Sequence, residues 1–516
     1  MPTFRGTPGN DTIDNSSPDI YGNFPGTGGN DVIDGLEGAD TMIGGAGRDF
    51  YYVDNSGDVV VDADDETVVN TTINYSLASV QGFTATSGGA GLTLNLRANG
   101  ITGTGTAGND VFVSYASNTT MIGGDGSDVM KGGSGSTVRG GLGNDYIEIT
   151  GSSGTGRLIG GAGDDTYTVD STSGNLFIDE YSDGGSGIDT VFAKVDFSLS
   201  TGSPGIQFDP RAAQIENLTL AAPGAPAVGG PIVGEGNGVA NVIIGNRQNN
   251  ILDGLNGNDT IYGSFGDDDI DGGNDNDSLF GEVGNDTLTA GAGTDTLTGG
   301  VGDDIYYIDL LDTVVELVGE GSDTVYTNGS FSTSAEVEFI NVTATGTANV
   351  ILSNSTGTVI EINNSNSANN TFTGGSGNDT MNGKVGIDTL RGNDGADTFA
   401  FGGAGLTASG SGTTSIRQDI IIDFVSGQDK IQLDKTNTFG SIVDTAGSPL
   451  TDFAFGNFGA SNANMDKSSA RIVYNLDNGA LYYNANGSTF GAGTGGGYFA
   501  TLTGAPALAA SDFIIV

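Results

Sequence analysis

The sequence predicts an all-β solenoid of short stacked strands, on three observations. Glycine supplies 91 of 516 residues, more than double its usual share of about 7%. Glycine that abundant must be placed by a rule, because scattered glycine only adds to the entropy lost on folding. From Gly254 to Tyr307 that rule is a nine-residue step: GLNGNDTIY, GSFGDDDID, GGNDNDSLF, GEVGNDTLT, AGAGTDTLT, GGVGDDIYY. Finally, no stretch shows helical periodicity.

Within the step, aspartate falls at Asp259, Asp268, Asp277, Asp286, Asp295 and Asp304. A large apolar residue falls two places later each time, at Ile261, Ile270, Leu279, Leu288, Leu297 and Tyr306. Four or five glycine-rich residues admit positive φ and turn the chain. Three residues then form a strand whose middle side chain points inward. Two repeats make one coil, so residues 18 apart stack about 4.8 Å above each other. Ile261, Leu279 and Leu297 line one wall of a thin core; Ile270, Leu288 and Tyr306 line the other.

The remaining chain divides by the same pattern. Residues 1–55 hold an isolated GTPGNDTID with Asp11, then GTGGNDVID, GLEGADTMI and GGAGRDFYY with Asp31, Asp40 and Asp49. Residues 56–104 form a β-connector. A degenerate array over 105–170 keeps Asp110, Asp128, Asp145 and Asp165; Thr137 stands where an aspartate is expected, and the next repeat is one residue short. A second connector, 171–235, contains the alternating IDTVFAKVDFSL (188–199). The central array spans 236–309. The third connector, 310–365, contains EVEFINV (336–342). Residues 366–401 repeat as GGSGNDTMN, GKVGIDTLR and GNDGADTFA, with Asp379, Asp388 and Asp397, and 402–516 form a C-terminal β cap. Three of the four arrays close on a related pattern, Tyr52-Val53-Asp54, Thr168-Val169-Asp170 and Tyr307-Ile308-Asp309. These mark connectors that continue or cap the roll.

Composition narrows function. Sixty-four acids against 16 bases leave a net charge of −48. That charge disfavours nucleic acid and anionic membrane as partners and destabilises any compact state, so a multivalent cation belongs in the fold. Histidine, cysteine and tryptophan are absent. Ser–His–Asp triads, His-ligated zinc and thiolate chemistry are thereby excluded, whereas glycosidase chemistry needs only carboxylates. Met1–Arg5 runs into polar, glycine-rich sequence, so no Sec-type signal is expected. No apolar run approaches the roughly 20 residues that cross a bilayer.

The nonapeptides resemble the RTX, or hemolysin-type calcium-binding, repeats. ADTFAF (396–401), DIIIDFVSGQDKIQL (419–433), GALYYNANG (479–487) and LAASDFIIV (508–516) resemble the C-terminal region of type I-secreted RTX proteins. The resemblance implies a right-handed parallel β-roll or β-helix. It also implies calcium ions held between one loop and the loop 18 residues on. The first loop gives carbonyls from its second and fourth positions, the next gives them from its first and third, and both give aspartates. Leu255, Gly257 and Asp259 would then pair with Gly272, Asn274 and Asp277, and Ser264, Gly266 and Asp268 with Gly281, Val283 and Asp286. Gly273, Asp275 and Asp277 would pair with Ala290, Ala292 and Asp295, and Glu282, Gly284 and Asp286 with Gly299, Val301 and Asp304. Asp275 departs from the motif, which wants glycine at its fourth position. Elsewhere the implied sets are Thr27, Gly29 and Asp31 with Gly44, Ala46 and Asp49; Thr106, Gly108 and Asp110 with Gly123, Asp125 and Asp128; and Gly375, Gly377 and Asp379 with Gly392, Asp394 and Asp397. Asp40, Asp145, Asp165 and Asp388 extend them. All-oxygen ligation by about six groups suits Ca²⁺ better than Mg²⁺. The competing reading is that these aspartates only cap turns.

Function follows as an expectation. The terminal Asp512-Phe513-Ile514-Ile515-Val516 resembles a type I export signal, which implies the export machinery as a partner in transit. The competing reading is a last strand closing the roll, and both can hold. With no segment of domain size free of repeat or connector pattern, the expected protein is not an enzyme. It is a structural protein of the bacterial cell surface that self-assembles into an S-layer, sheath or filament. The alternatives are an adhesin on cell-surface polysaccharide and a polysaccharide-modifying enzyme with its centre in 171–235.

Overall fold

A computed structural model describes residues 3–7, 9, 11–14, 29–62, 66–81, 89–150, 155–169, 175–179, 186–200, 206–208, 215–220, 232–309, 311–317, 320–327, 331–333, 339–342, 349–352, 359–362, 369–402, 418–442, 444–446, 450–458, 469–484 and 497–516. Thr27, Asp170, residues 336–338 and residues 485–487 lie outside these. Two compact units divide the chain, Met1–Thr260 and Ile261–Val516. The fold is an all-β parallel roll; helix among the described residues is confined to two single 3₁₀ turns, Leu77–Ser79 and Ala510–Asp512. None of the described helices is long and apolar enough to cross a membrane.

Glycine turns and three-residue strands produce coils whose alternate strands stack. In the second unit Ile270 pairs with Leu288 and Leu288 with Tyr306, while Leu279 pairs with Leu297. All six predicted wall residues of the central array are fully buried. The pleat sends every second side chain outward, so each coil contributes two inward residues.

The connectors continue these ladders. Leu297 pairs onward with Val314 and Tyr306 with Val325, and the register passes through Ile340 and Ile360 to Met381 and Phe399. In the first unit Tyr51 pairs with Val69, and Val69 with Leu94. Only the turn length between strands changes, so the nine-residue period is lost while the stacking is kept.

The degenerate array requires a correction. Thr137 does not stand at an aspartate position; it opens the strand Thr137–Leu142 and pairs with Thr120 and Arg157. Ser136 takes the aspartate's place, fully buried, with its hydroxyl 2.8 Å from that of Thr119. The missing residue is therefore lost from the loop before Ser136. Thr119 and Ser136 thus stack hydroxyls where carboxylates stack on the opposite edge, and Thr119 Oγ1 also donates to Ser114 Oγ of its own coil.

At the C-terminus Phe401 pairs with Leu433, and Leu433 with Ile515. Antiparallel pairing joins Ile472–Asn475 to Ala480–Tyr483, and Ala480–Tyr483 to Gly497–Leu502. Phe513–Ile515 is thus a closing strand, and buried Asp512 fixes its entry by accepting from Ser426 Oγ, Gly427 N and Ala509 N.

Candidate metal centres

The loops have a two-point backbone rule. Second positions adopt left-handed φ at Leu255 (72°), Ser264 (83°), Gly273 (98°), Glu282 (74°) and Gly300 (98°). Fourth positions also have positive φ: Gly257 (120°), Gly266 (114°), Gly284 (148°) and Gly302 (144°). Asp275 follows the rule at +76°, since aspartate tolerates this region better than most residues. The departure from glycine leaves its loop geometry intact.

The array aspartates are buried, and most divide their two oxygens between two tasks; in Asp110 and Asp379 Oδ2 instead accepts the N–H of Thr106 and of Gly375 in its own loop. Oδ1 accepts the backbone N–H of the aspartate one coil earlier: Asp268 N to Asp286 and Asp286 N to Asp304, both 2.7 Å, and Asp277 N to Asp295, 2.7 Å. Asp31 N donates to Asp49 and Asp379 N to Asp397 in the same way. Oδ2 faces inward to the loop. In Asp40, Asp128, Asp145, Asp165, Asp286, Asp295, Asp304 and Asp388 it is buried and accepts no hydrogen bond. A Cβ on Gly281 would overlap Asp286 Oδ2, which explains glycine at the first position.

Backbone carbonyls complete an oxygen-lined gap. The carbonyls of Glu282 and Gly284 lie where Cβ atoms on Gly300 and Gly302 would sit, and the Gly299 carbonyl approaches Gly281. Second- and fourth-position carbonyls of one loop thus face the next loop, and the first-position carbonyl of that loop faces back. Third-position carbonyls are partly committed: Val283 O accepts from Gly266 N and Val301 O from Gly284 N, each at 2.9 Å. A carbonyl has a second lone pair to give.

Burial raises these carboxyls. It lifts Asp286 to about 6 and Asp304 to about 7, against the lowering effect of the backbone N–H each accepts. Asp128 and Asp165 rise to about 7, Asp145 to about 8 and Asp397 to about 7 for the same reason. Buried carboxylates facing carbonyl oxygens make an electron-rich site that only a cation or a proton satisfies. The donor set is hard oxygen throughout, which fits Ca²⁺.

Most implied pairs fall together. Asp110, Asp128, Asp145 and Asp165 form one continuous ladder despite steps of 18, 17 and 20 residues. Asp388 continues to Asp419, so it belongs to an edge separate from Asp379 and Asp397. Leu255, Gly257 and Asp259 stand in the first unit and Gly272, Asn274 and Asp277 in the second, each loop with the shared geometry. Gly29, Ala46, Thr106, Gly108, Ala290, Ala292, Gly375, Gly377, Gly392 and Asp394 lie between strands, whereas Gly44 lies within the strand Thr41–Gly45 and Gly123 and Asp125 within Thr120–Asp125.

Sequence counting missed the aspartates that extend each ladder past the period. Asp40 N reaches the missed Asp58 Oδ1, and Asp11, already marked by its isolated repeat, donates its N–H to Asp40 Oδ1. Asp165 reaches Asp189, Asp295 reaches Asp312, Asp304 reaches Asp323, and Asp397 reaches Asp429. A local signal was present: in GIDTV (187–191), GSDTV (321–325) and GQDKI (427–431), aspartate again precedes an apolar residue by two places.

Comparison with protein families agrees with this geometry. The RTX calcium-binding nonapeptide repeat, in its four-copy form, matches residues 25–60, 104–138, 149–167, 235–270 and 271–306. The C-terminal domain of the M10 serralysin peptidases, a non-catalytic domain, matches residues 355–448 and takes in the last array. No curated protein matches the chain. The repeats bind multiple calcium ions.

Proposed function

We propose that this chain, a secreted calcium-binding protein built on RTX repeats and a serralysin-type C-terminal domain, is a non-enzymatic structural protein of the bacterial cell surface. It folds on extracellular calcium and self-assembles there. Extracellular calcium modules bind with Kd on the order of 10⁻⁴–10⁻³ M. Below that concentration, facing carboxylates keep the chain extended, a form suited to threading through an export channel. Outside, calcium neutralises the loops and binding energy becomes folding energy.

An exposed apolar stripe carries the assembly reading. Phe265, Val283 and Val301 occupy third positions of successive loops along one edge and are 50%, 41% and 55% exposed. Val283 and Val301 are direct ladder partners. Single exposed apolar residues are ordinary, whereas a stacked file of them marks an interaction surface. Its spacing is that of the strands themselves, so the partner it fits is the same stripe on a second copy. Association becomes possible once calcium has neutralised much of the −48 charge.

Electron microscopy and light scattering of the purified protein, with calcium and with chelator, test this. Calcium should produce ordered polymers, and V283E/V301E should suppress them while leaving the circular dichroism spectrum unchanged. A protein that stays monomeric with calcium at high concentration overturns the reading.

A further inference from the structure

Each of the three connectors turns an acid inward where an early strand ends. Asp62 ends Val59–Asp62, Asp179 follows Asn175–Ile178, and Glu316 follows Thr313–Val315. Their relative exposures are 2%, 0% and 6%. A carboxylate so buried requires a partner, and the first two have one. Asp62 accepts from the Tyr51 hydroxyl at 2.9 Å, and Asp179 is paired with the Arg157 guanidinium.

Glu316 has neither. Both its carboxylate oxygens are buried and accept no hydrogen bond. The sequence holds no lysine or arginine between Arg247 and Lys384. Two further acids converge on Glu316 instead: Asp304, Glu316 and Asp323 each place a carboxylate oxygen within 4.8 Å of the others. Asp304 N occupies Asp323 Oδ1 at 3.0 Å, and Asp304 Oδ2 is buried without a donor. In the first connector the residue one coil beyond Asp49 is Thr67, so that cluster carries one acid fewer.

We propose that Asp304, Glu316 and Asp323 hold a calcium ion that closes the central array onto the connector after it. It is a site outside the nonapeptide scheme, because Glu316 belongs to no repeat. Calcium–oxygen distances of about 2.3–2.6 Å put oxygens on opposite sides of one ion about 4.6–5.2 Å apart, which the cluster's 4.8 Å limit accommodates. Calcium also tolerates the irregular geometry of one aspartate from a loop, one from a later coil and a glutamate between them. The ion does for the third connector what Tyr51 and Arg157 do for the other two. The inference rests on the calcium-binding reading of the repeats, and the repeat ions are its internal control.

The test is calcium anomalous scattering from crystals of the full chain, with bound calcium counted by mass spectrometry in wild type and E316Q. The expected result is a peak bounded by the three carboxylates and the loss of one ion in E316Q, with the β spectrum retained. Peaks in the nonapeptide loops with none at Glu316 overturn the inference and leave the repeat assignment standing, as does an unchanged ion count in a folded E316Q. Should E316Q fail to fold, the wild-type map decides alone. Absence of ions everywhere overturns both assignments.

Discussion

Removing calcium should make the fold acid-dependent, and the loop carboxyls set the size of the effect. Asp304 rises from 3.8 to about 7 through burial, and Asp145 from 3.8 to about 8. A folded pKa above the unfolded one means that the calcium-free fold binds protons the unfolded chain releases. Its stability is then fully present below about 3.8 and is lost as pH rises through about 7. A rise of three pH units is worth about 4 kcal/mol per group. Native domains are stable by only about 5–15 kcal/mol in total. Four aspartates such as Asp128, Asp145, Asp165 and Asp304 therefore outweigh the whole margin at pH 8. Calcium-free protein should be β-rich near pH 4 and unfolded at pH 8. Adding calcium at pH 7 should restore the fold, and adding it at pH 5, where the calcium-free fold still holds its protons, should release them as the carboxyls ionise around the metal.

Far-UV circular dichroism against pH on exhaustively decalcified protein, with pH-stat titration of calcium at pH 5, measures both. Equal β content at pH 4 and pH 8 without calcium would refute the reasoning. So would calcium binding at pH 5 with no proton release, since the carboxyls of the folded chain would then be ionised already.

Two further outcomes follow from single positions. G284A forces a Cβ onto the Gly266 carbonyl at a φ of 148°. It should cost at least the about 1–3 kcal/mol typical of backbone strain, read as a lower Tm in saturating calcium, while an alanine at exposed Gly238, where a Cβ meets nothing within 4 Å, should cost far less. R157M leaves the fully buried Asp179 charged without its guanidinium. A loss of about 3 kcal/mol is expected, recovered in part by the additional change D179N in a double-mutant cycle.

How far the sequence revealed the site depended on the length of each turn. From 254 to 307 the turns are equal, so counting from glycine finds every aspartate and every core residue. Past Asp295 and Asp304 the next rungs come 17 and 19 residues on, and past Asp388 and Asp397 they come 31 and 32 residues on. Stacking constrains where a strand lies beside its predecessor and leaves the length of the turn free, because extending a surface loop costs little. A nine-residue count therefore fails where the ladder does not. The Ser136 error has the same root. A one-residue deletion can fall in the loop or in the strand with equal effect on spacing, and only the pairing of Thr137 with Thr120 and Arg157 places it in the loop. Glu316 was hidden differently: nothing in TVVEL distinguishes an inward glutamate from an outward one until its strand is in register.

Turn capping and calcium binding had been competing readings of the same aspartates. In rungs such as Asp286 the two oxygens dissolve that competition, whereas Asp110 and Asp379 cap their own loops through Oδ2. Asp286 Oδ1 takes the Asp268 N–H and is a cap in the full sense, fixing one coil on the next with or without metal. Asp286 Oδ2 takes no hydrogen bond, lies against Gly281 where no Cβ could fit, and faces the cation's position. An amide could reproduce the first task but not the second, because asparagine has one acceptor oxygen where aspartate has two. Asn241 and Asn370 stand at loop positions whose N–H groups are taken by Asp259 and Asp388. There the side-chain amide also donates, Asn241 Nδ2 to the Ile215 and Glu216 carbonyls and Asn370 Nδ2 to Asp388 Oδ1. An asparagine at the aspartate position thus keeps the rung and supplies a donor where aspartate offers a second acceptor.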